Sequence, residues 1–318
     1  MLNRLLTAGL MVALVATATA RADLVVYDPI PISDTPNTAG YYNVDEEIGS
    51  SHNRSVGSSG AWGGSGNWSG AWNNSWRWTA RPGTLTYTSN GYNLNTSGGH
   101  LGPSAHKAYL HRQVAPSLLN SGTLYFSFLL ESSMTDHNAS EYYGLTRTQN
   151  RYETARLDYL SNGQVNPVLE TAGKGTGASK GAKKNIPDGT NFYVLKVEFG
   201  STSSEAARLT AWMNPGLGKS EAEIMTDSDY DQHWSITRTN RDFGLQYLLV
   251  RHADNSDTQF DEFRLATVNQ GFTDGDAWSA VTSATEIQQA PMVPEPVTGL
   301  ALLGGLAAIA WRRRRRAG

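Results

Sequence analysis

Between residues 24 and 266 the chain is written in short runs where apolar and polar residues alternate, separated by clusters of Gly, Asn, Asp and Ser. A period of two places one set of side chains on each face of an extended strand, so the runs predict β-strands half-buried in a sheet. They fall at residues 24–27, 84–88, 124–131, 141–146, 155–160, 164–170, 192–199, 207–213, 245–251 and 260–266. No stretch between Asp23 and Thr273 sustains the 3.6-residue apolar period of an amphipathic helix. Asn162-Gly163 stands between two of the runs and predicts a hairpin closed by a two-residue type I′ turn. Residues 272–281, with Asp274 and Asp276 near the start, predict one short terminal helix. In the run that reads Phe260-Asp-Glu-Phe-Arg-Leu265 the apolar residues break alternation, and a bulge or strand end near Asp261 reconciles Phe260 with Phe263. The pattern is all-β, two antiparallel sheets packed face to face.

The two ends are patterned differently. Met1 to Arg4 is basic, Leu5 to Val15 is apolar, and Ala18-Thr-Ala20 and Ala20-Arg-Ala22 both fit a small-residue cleavage site; the sequence favours the second, giving a signal peptide over residues 1–22 that engages the Sec translocon. At the other end stand Val293, Pro294, Glu295 and Pro296, an uncharged apolar run from Val297 to Trp311, and then Arg312, Arg313, Arg314, Arg315 and Arg316. The run predicts a single hydrophobic, transmembrane helix of roughly 22 Å, shorter than a hydrocarbon core of about 30 Å. The arginines hold its end in the cytoplasm, which leaves the rest of the chain outside. The expected order is therefore signal peptide 1–22, sandwich 23–281, linker 282–292 and C-terminal signal 293–318.

The C-terminal arrangement resembles the PEP-CTERM sorting signal. That resemblance implies an exosortase as partner during export, removal of the tail near Pro294 to Pro296, transient membrane anchoring, and a destination at the cell surface or in the extracellular matrix.

Composition sharpens the picture. The chain has no cysteine, so an exported fold must hold by core burial alone. Lys and Arg number 26 against 29 Asp and Glu; loss of Arg4, Arg21 and the five tail arginines leaves 19 against 29, a mature net charge of about −10. Such a surface repels phosphate backbones and excludes nucleic acid as a partner.

Catalytic patterns are missing. No run carries the E-x-D-x-E alternation that puts two carboxylates on one sheet face, and Asp45-Glu-Glu47 reads as loop charge. Gln232-His233 lacks the spacer of a lyase-type Gln-x-His strand, and no G-x-S-x-G elbow occurs. His52, His100, His106, His111, His137, His233 and His252 show no zinc spacing; His106 and His111, five apart, read as surface residues. Residues 173–184, GKGTGASKGAKK, do not match a phosphate-binding loop and read as a surface loop. Asp254, Asp257 and Asp261 are candidate calcium ligands, although their setting suits turn-capping and pairing of Asp261 and Glu262 with Arg264 or Arg251 better. Trp62, Trp68, Trp72 and Trp76, among Gly and Ser, form the candidate carbohydrate-stacking segment, with at least one of Trp68 and Trp72 expected in the core.

Leu24-Val-Val-Tyr27, Gly66-Asn-Trp-Ser-Gly-Ala-Trp72, Leu85-Thr-Tyr87, Tyr125-Phe-Ser-Phe-Leu-Leu130, Ala211-Trp-Met-Asn-Pro215 and Phe260-Asp-Glu-Phe-Arg-Leu265 occur in this order. Together they resemble the laminin-G-like, concanavalin A-like jelly-roll β-sandwich of bacterial PEP-CTERM surface proteins. The resemblance implies a non-catalytic exported protein, with polysaccharide binding as the alternative and a divergent polysaccharide hydrolase or lyase as a second. No cofactor is expected, with calcium the one possible ion at the Asp residues named above.

Overall fold

A computed structural model describes residues 78–286 apart from 104–107, 115–117, 133–140, 149–152, 161, 172–177, 203, 228–231, 240–242, 253–256 and 269–272; before residue 78 it describes 26–28, 32–33, 42–43, 47–48 and 73–74. The longer strands are β1 (Trp78–Pro82), β2 (Gly99–Pro103), β3 (Ala108–Gln113), β4 (Thr123–Ser132), β5 (Glu141–Thr146), β6 (Thr154–Leu160) and β7 (Gln164–Glu170). They continue with the two-residue β8 (Ser179–Lys180), β9 (Gly189–Glu198) and β10 (Ala206–Met213), helix α1 (Glu221–Thr226), β11 (His233–Thr239), β12 (Tyr247–His252), β13 (Gln259–Val268) and helix α2 (Asp274–Val281).

These strands form two antiparallel sheets. The first runs β11-β10-β9-β4-β13-β2-β1 and the second β8-β7-β6-β5-β12-β3. Neighbours such as β4 and β13, or β5 and β12, are distant in sequence, so long crossovers tie the sheets together in the jelly-roll manner. The fold is the concanavalin A-like jelly-roll β-sandwich.

Alternation explains the packing. On β4, Leu124, Phe126, Phe128 and Leu130 enter the cluster between the sheets, where they meet Tyr143, Leu157, Tyr159, Leu195, Leu248 and Val250. Tyr125 and Leu129 point the other way, into a second apolar cluster with Phe192, Val194, Trp212, Leu217, Ile224, Ala277, Trp278 and Val281. The first sheet is thus apolar on both faces, its outer face covered by α1, α2 and the segments around Leu85 and Leu94. Trp278 packs edge-on against Trp212 at 5.0 Å and donates from Nε1 to Lys219 O at 2.9 Å. Among the described residues the second sheet contributes to an apolar cluster from one face only.

The bulge expected near Asp261 is present. Ser127 faces Arg264 and Leu129 faces Asp261, so Glu262 and Phe263 together oppose Phe128, with Glu262 at φ 55. The extra residue turns both Phe260 and Phe263 into the inner cluster.

Several expectations need correction. Residues 84–87 are not a strand, because the Leu85 N–H is taken by the Asp261 carboxylate at 2.8 Å instead of a neighbouring strand. The hairpin at Asn162-Gly163 forms, but Leu160 pairs with Gln164, so three residues connect the strands instead of two; Gly163, at φ 70, donates to Leu160 O at 3.1 Å. Part of the expected surface loop at 173–184 is a sheet edge. Ser179 and Lys180 pair with β7, and Gly181 lets the chain close in there, since a Cβ would lie 2.7 Å from Pro167 Cγ. Helix α1 was not signalled by a long apolar period; it is a single short helix fixed by the Ser220 and Glu223 capping box and one buried anchor, Ile224. Helix α2 lies where one was expected.

Candidate functional site

The outer face of the second sheet is built by the half of each alternating strand that turns away from the inner cluster, polar but for Leu249, Gly144 and Val168. Strand register sorts that face into three rows that cross the strands. The middle row runs His111, Leu249, Gly144, Arg156, Val168 and Lys180, from β3 through β12, β5, β6 and β7 to β8. On one side lie Arg251, Tyr142, Asp158 and Asn166. On the other lie Gln113, Tyr247, Thr146, Thr154 and Glu170.

Polar groups on an outer face are ordinarily solvated, yet these are largely withdrawn from water. Arg156 retains 9% exposure, Arg251 8%, His111 8%, Asp158 4% and Asn166 3%. Arg156 and Asp158 pair with each other. Arg156 Nε donates to Asp158 Oδ1 at 2.7 Å, and its Nη1 reaches Thr154 Oγ1 and, at 3.5 Å, Glu170 Oε2. Lys180 Nζ lies 4.0 Å from Asp158 Oδ2. Two guanidinium groups stack on one ring: Arg156 Cζ is 4.7 Å and Arg251 Cζ 4.4 Å from the Tyr142 centroid. Planar, delocalised guanidinium suits both roles at once, stacking through its face and donating through its edge.

Gly144 sits at the centre. A Cβ there would fall 2.3 Å from Ala155 O and 2.6 Å from Arg156 Cα, both backbone atoms that cannot step aside. The missing side chain lets β5 and β6 approach closely and leaves Tyr142 and Arg156 to meet over the gap.

The face offers guanidinium and amide donors, carboxylate acceptors and an aromatic ring, the groups that orient sugar hydroxyls and stack on sugar rings. It is less suited to hydrolysis: Asp158 and Glu170 share one guanidinium, so neither stands ready as a separate acid or nucleophile. Buried ion pairs of this kind are weak contributors to stability, because apolar residues would serve the fold as well.

None of the sequence candidates is among these residues. Trp62, Trp68, Trp72, Trp76 and Asp254 lie outside the described residues, as do Val293 to Pro296 and Arg312 to Arg316. Asp257 is exposed. Asp261 is wholly buried, and its Oδ2 accepts from Leu85 N at 2.8 Å and Thr84 Oγ1 at 2.9 Å, while Oδ1 accepts from Glu262 N at 2.8 Å. Burial, reinforced by the neighbouring Glu262 charge, raises its carboxyl well above the ordinary range. Glu262 pairs with Arg264 at 3.2 Å, as the sequence suggested. Among the described residues no group of three or more His, Asp or Glu is arranged to hold a metal ion. No helix among them is long and apolar enough to cross a membrane.

His111 is a correction. It is buried on β3 in the middle row, since β3 pairs with β12 on one side and with Asn73–Asn74 on the other and is not a surface segment. Trp234 is buried in the core and donates from Nε1 to Ala182 O at 2.5 Å. Tyr142, Gly144, Arg156, Asp158 and Asn166 were not singled out by sequence, and Arg251 was named only as a partner for Asp261 and Glu262, whereas it stacks on Tyr142. The alternation Thr154-x-Arg156-x-Asp158 was the available signal, but polar residues on an outer face are too common to mark a site.

No protein-family model and no curated protein sequence matches this chain. Among solved structures, an alginate lyase from Aplysia kurodai is similar over 57% of this chain and 90% of its own, at 8% identity and TM-score 0.35. An alginate lyase, vAL-1, from a Chlorella virus is similar over 60% and 93%, at 10% identity and TM-score 0.36. The exoplasmic/lumenal domain of VIP36, solved with calcium and a mannose-containing glycan, is similar over 68% and 92%, at 8% identity and TM-score 0.36. Likeness at this level says nothing about a ligand of this chain.

Proposed function

We propose that the protein is exported and retained at the cell surface or in the extracellular matrix, where it binds a polysaccharide on the outer face of its second sheet without cleaving it. The observation that carries the reading is the layer around Tyr142: Arg156, Arg251, Asp158 and Asn166 are charged or polar, nearly buried, and on the face with no apolar cluster to complete. Dense donors and acceptors around an aromatic ring suit hydroxyl-rich ligands. Export rests on the apolar, basic-flanked ends of the sequence, and sorting by an exosortase on the Pro294-Glu-Pro296 tail.

The test is a panel of neutral and acidic polysaccharides presented to the purified protein with and without calcium, alongside the Tyr142→Ala variant. Saturable binding that the variant loses while keeping its circular dichroism spectrum supports the reading. Failure to bind any glycan overturns it, and release of shortened or unsaturated products would replace binding with a polysaccharide-cleaving activity.

A further inference from the structure

Resting on that reading, we infer that Asp158 and Asn166 form a subsite for two adjacent hydroxyls of one neutral sugar, and that Lys180 lies over it as a latch. Three features of the pair point there together.

The first is unused hydrogen-bonding capacity. Asn166 retains 3% exposure, yet among the described residues its carboxamide makes no hydrogen bond. Asp158 is engaged on one oxygen only: Oδ1 accepts from Arg156 Nε at 2.7 Å, while Oδ2 accepts no hydrogen bond and has Lys180 Nζ 4.0 Å away. None of these idle atoms is sealed from solvent, so a ligand group can reach them. A polar side chain withdrawn from bulk water without a partner costs free energy that an apolar one of its size would not. An entering hydroxyl supplies the partner.

The second is geometry. Asp158 and Asn166 stand directly opposite each other on β6 and β7, which sets their Cβ atoms about 5 Å apart on one face. A carboxylate only accepts, whereas a carboxamide donates and accepts. Side by side they match two neighbouring hydroxyls, one donating to Asp158 Oδ2 and the other accepting from Asn166 Nδ2 while donating to Oδ1. Arg156 steadies the carboxylate through Oδ1 and leaves Oδ2 open. Tyr142 is opposite Asp158 on its other side, where its ring can meet the apolar face of the same sugar. The Asp158 charge repels an acidic group at the same position, which selects a neutral unit.

The third is the cover. Lys180 belongs to β8 and Asp158 to β6, with β7 between them. The approach of Nζ to Oδ2 therefore carries the lysine stem across β7, where Asn166 faces Asp158. The Lys180 side chain is 59% exposed, and an exposed ion pair of that length holds weakly, so a sugar displaces it at little cost.

The experiment is calorimetric titration with galactomannan and dextran, whose units carry adjacent free hydroxyls, with the same two polymers after periodate cleavage of those diols, and with laminarin, whose internal units carry none. The expected result is saturable binding of galactomannan or dextran that periodate abolishes, with laminarin unbound. Asn166→Ala should lower the affinity about tenfold. It should leave the melting temperature level or higher, because the amide it removes has no partner to lose. Lys180→Ala removes the latch and should raise the affinity about threefold. No binding by galactomannan or dextran, binding that survives periodate, laminarin bound as tightly, an unaltered Asn166→Ala affinity, or weaker binding by Lys180→Ala would each overturn the inference. A polysaccharide bound in the earlier panel, lost in Tyr142→Ala and indifferent to both periodate and Asn166→Ala would leave the proposed function standing while this inference fell.

Discussion

Gly144 is the residue on which the outer face turns, because its absent side chain sets both the close approach of β5 to β6 and the contact of Tyr142 with Arg156. Gly144→Ala pushes a methyl group against backbone, and an overpacked site of that kind costs about 1–3 kcal/mol. Chemical denaturation should show the midpoint falling with the m-value unchanged, and the variant should also bind more weakly. Trp278 gives the contrasting case on the sealed side: Trp278→Ala removes the lid over Trp212 and Tyr125 and should cost about 3–5 kcal/mol, with any glycan affinity of the folded fraction preserved. Little of the site was legible at this scale. Arg156 and Asp158 alternate visibly in their own strand, but His111 and Arg251 join them only through pairings between strands far apart in sequence.

Elements were easier to read, because strand periodicity is local and sandwich pairing is not needed to see it. Those missed besides the two-residue β8, namely β1, β2, β3 and β11, are strands whose sequences mix Gly, Pro, His, Arg and Thr with few apolar residues, so their pairing partners hold them in place more than their own pattern does. The two helices are fixed by capping boxes, Ser220 with Glu223 and Thr273 with Asp276. Hydrogen bonds from the cap residues lower both acids below their ordinary pKa. Groups lowered on folding stabilise above their unfolded pKa and lose that contribution as pH falls through the folded value. The helical caps should therefore loosen below about pH 4, and Thr273→Ala, costing about 1 kcal/mol near neutrality, should cost less in acid. Lys196 works in the opposite direction. Burial opposes its charge, but hydrogen bonds to Asp274 at 2.6 Å and Glu221 at 3.1 Å prevail and raise its pKa. Its contribution is complete below the unfolded value and is lost as pH rises through the folded one, so thermal melts should show the α1 and α2 layer weakening in strong alkali.

At the scale of the whole molecule the two sheets have divided the work. Among the described residues the first is apolar on both faces and carries the helices, while the second gives one face to the core and sets most of its polar groups on the other. The absence of cysteine fits a fold whose stability comes from two apolar clusters instead of covalent bridges. Residues 293–318 frame this domain as an exported one in our proposal, and intact-mass analysis of protein recovered from its own host should give a chain ending near Pro296; material retaining Arg312 to Arg316 would refute processing. The central claim is narrower, that the outer face of the second sheet is where a polysaccharide binds. Its most direct test is an amide chemical-shift map recorded while titrating the tightest-binding polysaccharide's oligomers into labelled protein. The account predicts shifts concentrated at Tyr142, Gly144, Arg156, Asp158, Asn166 and Arg251, with Trp212, Ile224 and Trp278 unmoved; shifts confined to the helix-covered side, or binding that leaves the second sheet silent, would contradict it.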